Sequence, residues 1–450
     1  MLFPRTSLIA WTAGLVLPAA AIGGVAPRTL PFVVFFIGAF VLVAIGDALF
    51  ARRALAGLGV ELPASVRLQK DRPGTIEVKL TNTAKDARLV RVGFAFPPEI
   101  ATAEHDRLIQ FPAGASASRF DWSCTPGVRG QYFLDRAYLE GRSVLGLWAI
   151  RGSRPLRSEL RVYPNLFDER KSVAALFLKR GLFGTHVQRQ AGQGREFEKL
   201  REYLHGDSLD DIHWKASAKR GHPVTKVFQV ERTHELYVIV DASRLTGRSV
   251  TLNRGAPGER VSTTVLERFV AAALILGLAA EQQGDQFGLI TFSDKVLSFL
   301  RAKNGQAHYD VCRDRLYTLQ PSSVSPDFGE VFSFVRLKLR KRAFIIFLTA
   351  LDDPVLAESF ANGVELICRQ HLVFVDILQP ATAKAIFSGG DVSRLDDLYG
   401  RLGGHLQWSQ LRELQKVLHR HGVRLSLLDP TMLPAQLVAQ HGEVRARQLV

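Results

Sequence analysis

Two uncharged, strongly apolar runs separated by one arginine constrain this 450-residue chain more than any other feature. The first extends from Thr6 to Pro27 and the second from Thr29 to Gly46. At about 1.5 Å of rise per helical residue, either can cross a hydrocarbon layer roughly 30 Å thick. Backbone in that layer must satisfy its own hydrogen bonds, so helix is the expected form. The connector Pro27-Arg28-Thr29-Leu30-Pro31 is short enough to make a tight hairpin. Pro18 should kink the first helix. Asp47, near the end of the second, is expected at the membrane interface rather than in a proton relay.

The positive flanks set an expected orientation. Arg5, Arg52 and Arg53 lie on one side and Arg28 alone on the other, which places both ends and the bulk of the chain in the cytoplasm. Arg5, the first apolar run and Ala19-Ala20-Ala21 also fit a signal peptide. Its removal would leave the second run, with Arg52 and Arg53, holding the remainder on the same side. The formal net charge of +15 suggests an anionic partner. Aromatic residues are not interleaved with the basic ones as in a nucleic-acid groove, so the lipid bilayer is the favoured partner and nucleic acid is not expected. Cys124, Cys312 and Cys368 are too scattered for a disulfide framework or a zinc site, and reduced thiols are expected.

Four segments are distinguished. Residues 1–53 form the transmembrane helical hairpin. Residues 54–165 carry short alternating runs such as TIEVKLTN and LVRVGFAF, separated by turn clusters, which predicts a small antiparallel β-sandwich. Residues 166–233 connect the globular parts and are basic: from Arg151 to Arg232 there are 17 Lys/Arg against 10 Asp/Glu. This surface could face an anionic leaflet or dock an acidic partner. Residues 234–450 alternate continuous apolar runs (ELYVIVDAS, QFGLITFS, AFIIFLTA, LVFVDIL, VRLSLLD) with helical segments such as VSTTVLERFVAAALILGLAAEQQ and FGEVFSFVRLKLRKR. That alternation predicts an α/β doubly wound sheet buried on both faces. The fold class is therefore multidomain.

Within the connecting segment, Gly192 to Gly221 reads GQGREFEKLREYLHGDSLDDIHWKASAKRG. The positions Gly192, Gly194, Glu196, Phe197, Leu200, Arg201, Tyr203, Gly206, Asp207, Ile212, Trp214, Lys215, Ala216, Ser217 and Ala218 carry a pattern that resembles the signature of the domain of unknown function 58 family. Asp210, Asp211, His213 and Lys219 depart from that pattern. Relatives of this kind are similar to partners of MoxR-type AAA+ ATPases, so the resemblance implies a membrane-anchored, non-enzymatic scaffold or adaptor that recruits such an ATPase or its client. Within the signature, Trp214 and Tyr203 are expected to pack, Asp207 to fix the turn at Gly206, and Arg201 and Lys215 to face outward or pair with Glu196, Glu198 or Asp207. If this segment welds two domains together, Trp214→Ala should cost about 3 kcal/mol or more.

The first strand of the C-terminal part ends Asp241-Ala242-Ser243-Arg244-Leu245-Thr246. This resembles the start of a von Willebrand factor A domain, whose metal-ion-dependent adhesion site binds Mg²⁺ through oxygens. Asp241 and Ser243 match, Ser325 could supply a hydroxyl from a second loop, and Asp352 a carboxylate from a third. Leu245 stands where a second hydroxyl belongs, and Ala350 follows Thr349 where an acid is usual. A degenerate site without a resident cofactor is the expectation. The alternative function is a Mg-dependent ligand-binding receptor. A more distant one is a hydrolase using the signature loop, for which Ser217 has Lys215 and His213 close in sequence. Neither this grouping nor Gly255-Ala256-Pro257-Gly258 has the context of a catalytic or phosphate-binding motif, so no enzymatic activity and no small-molecule substrate are expected.

Overall fold

The computed structural model describes residues 1–450 except 52, 168, 172–173, 175–190, 205–211, 230–234, 254–259, 387, 389–394 and 448–450; for residues 27, 191–199, 227–229, 253, 260 and 396 it describes the backbone alone. The chain forms two compact units, Met1–Asn165 and Leu166–Val450.

In the first unit, helices α1 (Thr6–Val25) and α2 (Leu30–Ala51) are long and apolar enough to cross a membrane. A single 3-10 turn, Pro27–Thr29, joins them. Helix α1 widens into a π-helical stretch at Thr12–Val16. Pro18 explains the position: it has no N–H to offer the carbonyl of Gly14, so the helix must rearrange one turn earlier. Gly23 is buried where the two helices meet, beside Val33 and Leu30.

Ten strands follow the alternation of the sequence. They are β1 (Leu2–Pro4), β2 (Leu58–Glu61), β3 (Ser65–Gln69), β4 (Gly74–Asn82), β5 (Arg88–Phe94), β6 (Ile100–Thr102), β7 (Asp106–Phe111), β8 (Ala117–Pro126), β9 (Gly130–Arg142) and β10 (Trp148–Tyr163). One sheet runs β1-β10-β9-β5-β7 with β3 also on β10; the other runs β2-β4-β8-β6. Their inner faces, including Val78, Leu80, Val92, Trp122, Leu139 and Leu160, enclose one core. Two features depart from a purely antiparallel sandwich. Strand β3 pairs with β10 in parallel, and β1, which precedes the first apolar helix, pairs with β10 as an edge strand.

The second unit contains a two-stranded antiparallel sheet, β11 (Ala191–Glu202) with β12 (Val224–Gln229), and helix α3 (Trp214–Arg220) lies between these strands in sequence. Its main sheet contains β13 (Glu235–Asp241), β16 (Gln286–Phe292), β17 (Val296–Lys303), β18 (Phe344–Leu348), β19 (Leu372–Leu378) and β20 (Arg424–Leu428), in the order β17-β16-β13-β18-β19-β20. All neighbours pair in parallel except β17, which folds back antiparallel on the edge. A small hairpin, β14 (Ser249–Asn253) with β15 (Arg260–Thr264), follows β13.

The apolar runs are buried on both faces because helices cover both. Leu236, Val238 and Val240 face α4 (Val265–Gln282), α5 (Gln306–Leu316) and α9 (Leu433–Ala446). Tyr237 and Ile239 face α6 (Phe328–Lys338), α7 (Pro354–Cys368) and α8 (Leu395–Arg420). One boundary differs from the sequence reading: residues Val261 to Thr264 of the expected helix form strand β15 instead. The Thr264 hydroxyl then caps α4 by accepting from Glu267 N, the usual work of a threonine at a helix start.

Candidate functional site

The described residues of the signature are mostly strand and helix rather than loop. Gly194, Glu196 and Phe197 lie in β11, with Phe197 opposite Phe228 and Arg201 opposite Thr225; the register slips between Phe197 and Lys199. Gly206 and Asp207 fall outside the described residues. Ile212 is buried and bridges to Thr225, which brings the chain back onto β12. His213 closes the start of α3: its N–H donates to Val224 O at 2.8 Å and its ring Nδ1 accepts from Ala216 N at 3.2 Å. Gly221 ends the helix in the left-handed conformation, φ +75°, where a side chain would be strained.

Ser217 ties this arrangement together. Its hydroxyl donates to His213 O at 3.1 Å and accepts from Val224 N at 2.9 Å, so both roles are used within the backbone. The imidazole of His213 is engaged in capping, and the two side chains are not arranged as nucleophile and base.

Trp214 corrects the sequence reading. Expected to pack with Tyr203, it is instead 70% exposed, while Tyr203 is half-buried and its N–H donates to Pro223 O at 3.0 Å. Lys215, Lys219 and Arg220 are exposed on the same short helix. Leu204 is exposed as well. Arg201 is half-buried, and its guanidinium donates to Glu202 O at 3.3 Å. The result is an unburied indole among cations, on a short helix capped by His213 and tied to Val224 through Ser217.

The second candidate lies at the carboxyl ends of β13 and β18, where chain connections leave toward opposite faces of the sheet. Clefts at such positions are common ligand sites in open α/β sheets. Asp241 is fully buried; one carboxylate oxygen accepts from Ser243 N and the other from Thr349 Oγ1, both at 2.7 Å. Burial pushes this carboxyl above the usual range, against the lowering effect of those donors. The Ser243 hydroxyl is buried beside it, and Thr246 Oγ1 donates to Ser243 O at 2.8 Å.

The other two expected ligands turn to arginines. Arg244 Nε donates to Ser325 Oγ at 3.1 Å, and its guanidinium lies 4.0 Å from Asp353. Asp352 pairs with Arg248 at 2.6 Å. Thus Asp241 and Ser243 serve the buried strand ends, while Ser325 and Asp352 engage guanidinium groups. Among the described residues, no group of three or more His, Cys, Asp or Glu side chains is placed to hold a metal ion. Beside Arg248 a cavity of about 550 Å³ opens, lined by Thr349, Ala350, Gln379 and Lys384 among others. Arg244, Arg248 and Lys384 were not singled out from sequence. Arg244 sits in the motif itself and Arg248 two residues beyond it, but only the fold brings carboxylates from a loop a hundred residues away against them.

Residues 199–397 match the family described as protein of unknown function DUF58. Uncharacterized proteins of Mycobacterium bovis and Mycobacterium tuberculosis are 21% identical over 202 residues, covering 44% of this chain and 60% of theirs. The chain thus spans less than two thirds of the length of these relatives. Among solved structures, conserved hypothetical protein BatB of Bacteroides thetaiotaomicron aligns with 48% of this chain and 99% of its own, at 14% identity and a TM-score of 0.29. An aerotolerance-related membrane protein of Bacteroides fragilis aligns with 47% and 99%, at 13% identity and a TM-score of 0.26.

Proposed function

We propose that the chain is a membrane-anchored, non-enzymatic adaptor that presents its signature surface to an acidic protein partner on the cytoplasmic side of a bacterial inner membrane. The observation that carries this reading is Trp214, left 70% exposed on a helix with Lys215, Lys219 and Arg220. A large amphipathic ring beside cations is a common composition for the centre of a protein interface. The match of residues 199–397 to an uncharacterised family supports the importance of the segment without assigning chemistry.

By resemblance, the partner is a MoxR-type AAA+ ATPase. The α/β part serves as a von Willebrand factor A-like scaffold in which arginines engage Ser325 and Asp352, two of the residues a metal would need. The inward orientation rests on Arg5, Arg52 and Arg53 against Arg28.

The test is binding of a purified MoxR-type ATPase to the full chain in lipid nanodiscs. Trp214→Ala combined with Lys215→Glu should weaken binding by about tenfold or more, equivalent to about 1.4 kcal/mol. Unchanged affinity in a folded variant would remove the signature surface from the interface.

A further inference from the structure

Asp47 is the lone charge in the second apolar helix, yet it is buried. Its two oxygens accept from Leu145 N at 3.0 Å and Leu147 N at 3.3 Å, in the turn between β9 and β10. One helical turn earlier, Ala44 O accepts from Trp148 Nε1 at 2.8 Å. The start of the first helix holds the same turn from its other flank: Arg5 N donates to Leu147 O at 3.0 Å and Ser7 Oγ to Gly146 O at 2.6 Å. Thus the first residues of α1 and the last turns of α2 both clasp one β-turn.

Those helix ends mark where the two apolar runs meet water, so the turn they hold lies at the same level. Its tip carries Val144, 85% exposed, and Leu145, 59% exposed. The polar backbone of the turn is meanwhile supplied with partners: two of its amides bond to Asp47, and two of its carbonyls to Ser7 and Arg5. Such satisfaction is required wherever non-helical backbone enters a low-dielectric layer. Trp148 offers an amphipathic ring of the kind concentrated at bilayer boundaries, and Arg5 offers a charge for the headgroups.

We propose that the β9–β10 turn is a lipid-facing wedge, with Val144 and Leu145 inserted in the bilayer at the boundary between headgroups and acyl chains. The sandwich is then seated on the membrane by its own fold and does not swing on a free linker. This inference goes beyond the adaptor reading and rests only on the part of it that places α1 and α2 across a bilayer.

The experiment uses the full chain carrying Cys368→Ser, since Cys124 and Cys312 are buried. An environment-sensitive fluorophore is attached singly at V144C, V128C or V41C in vesicles of zwitterionic and anionic phospholipid. Nitroxide quenchers are placed on the lipids either near the headgroup or deep in the acyl chain. Val128 is the far control: it precedes β9, whose 13 residues at roughly 3.3 Å each separate it from the wedge by about 40 Å. Val41 lies within α2 and reports the span itself.

The expected result is strong quenching at Val144 by the shallow nitroxide, several-fold above that at Val128, together with deep quenching at Val41. Deep quenching at Val41 with Val144 no more quenched than Val128 would overturn the wedge and leave the span intact. A Val144 probe shielded from aqueous iodide but unquenched by either lipid would also overturn it, in favour of a protein contact. Absence of lipid quenching at Val41 would overturn the span and the wedge together.

Discussion

Replacing Asp376 by Asn should convert a pH-dependent part of the α/β unit into a pH-independent one. Asp376 sits in β19, fully buried, between Leu348 on β18 and Ser426 on β20. Gln440 Nε2, from the C-terminal helix α9, reaches both Asp376 Oδ1 at 3.0 Å and Ser426 Oγ at 3.1 Å. Burial pushes the carboxyl up to about 7, although Gln440, Ser426 and the charge of Arg424 act in the opposite direction. In the unfolded chain an aspartate titrates near 3.9. The folded state therefore holds its proton more tightly. Its contribution is fully present below about pH 3.9 and is lost as pH rises through about 7.

About three pKa units at roughly 1.4 kcal/mol each give a total near 4 kcal/mol, of which about 2.5 kcal/mol falls between pH 5 and pH 8. Asparagine keeps the acceptor for Gln440 and has no proton to lose. Amide hydrogen exchange resolved by mass spectrometry on the detergent-solubilised full chain measures the opening free energy of β19 and β20 directly. After correction for intrinsic exchange, the native chain should lose about 2.5 kcal/mol more than Asp376→Asn between pH 5 and pH 8. Other titrating groups are common to both proteins and cancel in the difference. Equal pH slopes would refute the reasoning, since they would mean that Asp376 does not change its proton affinity on folding.

The exposed indole predicts a small stability effect: Trp214→Ala should shift the unfolding of the α/β unit by no more than about 0.5 kcal/mol in the same exchange experiment. A loss near 3 kcal/mol would mean that the ring packs after all. Thr349→Val removes the hydroxyl donor from the buried Asp241 carboxylate and should cost about 1.5–3 kcal/mol, the usual worth of a hydrogen bond to a charged group, measured at β13 and β18. Because burial pushes Cys124 up to about 11 and Cys312 up to about 12, neither should react with a maleimide at pH 7.5 in the native chain. Mass spectrometry should find any early label on the half-buried Cys368.

The strand runs of the α/β part and the two apolar helices were legible because their signals are local. A residue buried on both faces of a sheet must be apolar in continuous runs, and a membrane-length helix must be apolar throughout. The edge strand β17 was not legible. Its burial is partial and its partner is set by a fold-back, so it lacks the continuous apolar signature of the central strands. The start of α4 was misread because Val261, Thr263 and Thr264 suit a strand at least as well as a helix, and only pairing with β14 decides between them.

The candidate sites divide along the same line. Asp241, Ser243 and the signature stand out by their order along the chain, and so does Asp47 as a single acid near the end of an apolar run. Order alone could not tell which way a side chain turns. Trp214 was expected to pack, as was Tyr203, yet α3 leaves it exposed, while Ser217 bonds Val224 and Ile212, just before the helix, is buried. Ser325 and Asp352 were grouped with Asp241 by loop position, but Arg244 and Arg248 reach them at hydrogen-bonding distance. The sequence by itself determined which segments are long and apolar enough to cross a membrane, which alternate and which form buried sheet, because hydropathy and period act over neighbouring residues. The tertiary structure alone decided what meets Asp47, Asp352 and Trp214: a β-turn about a hundred residues away, a guanidinium from another loop, and solvent. A polar or aromatic side chain is satisfied by whatever the fold brings within a few ångströms, and that distance has no counterpart along the chain.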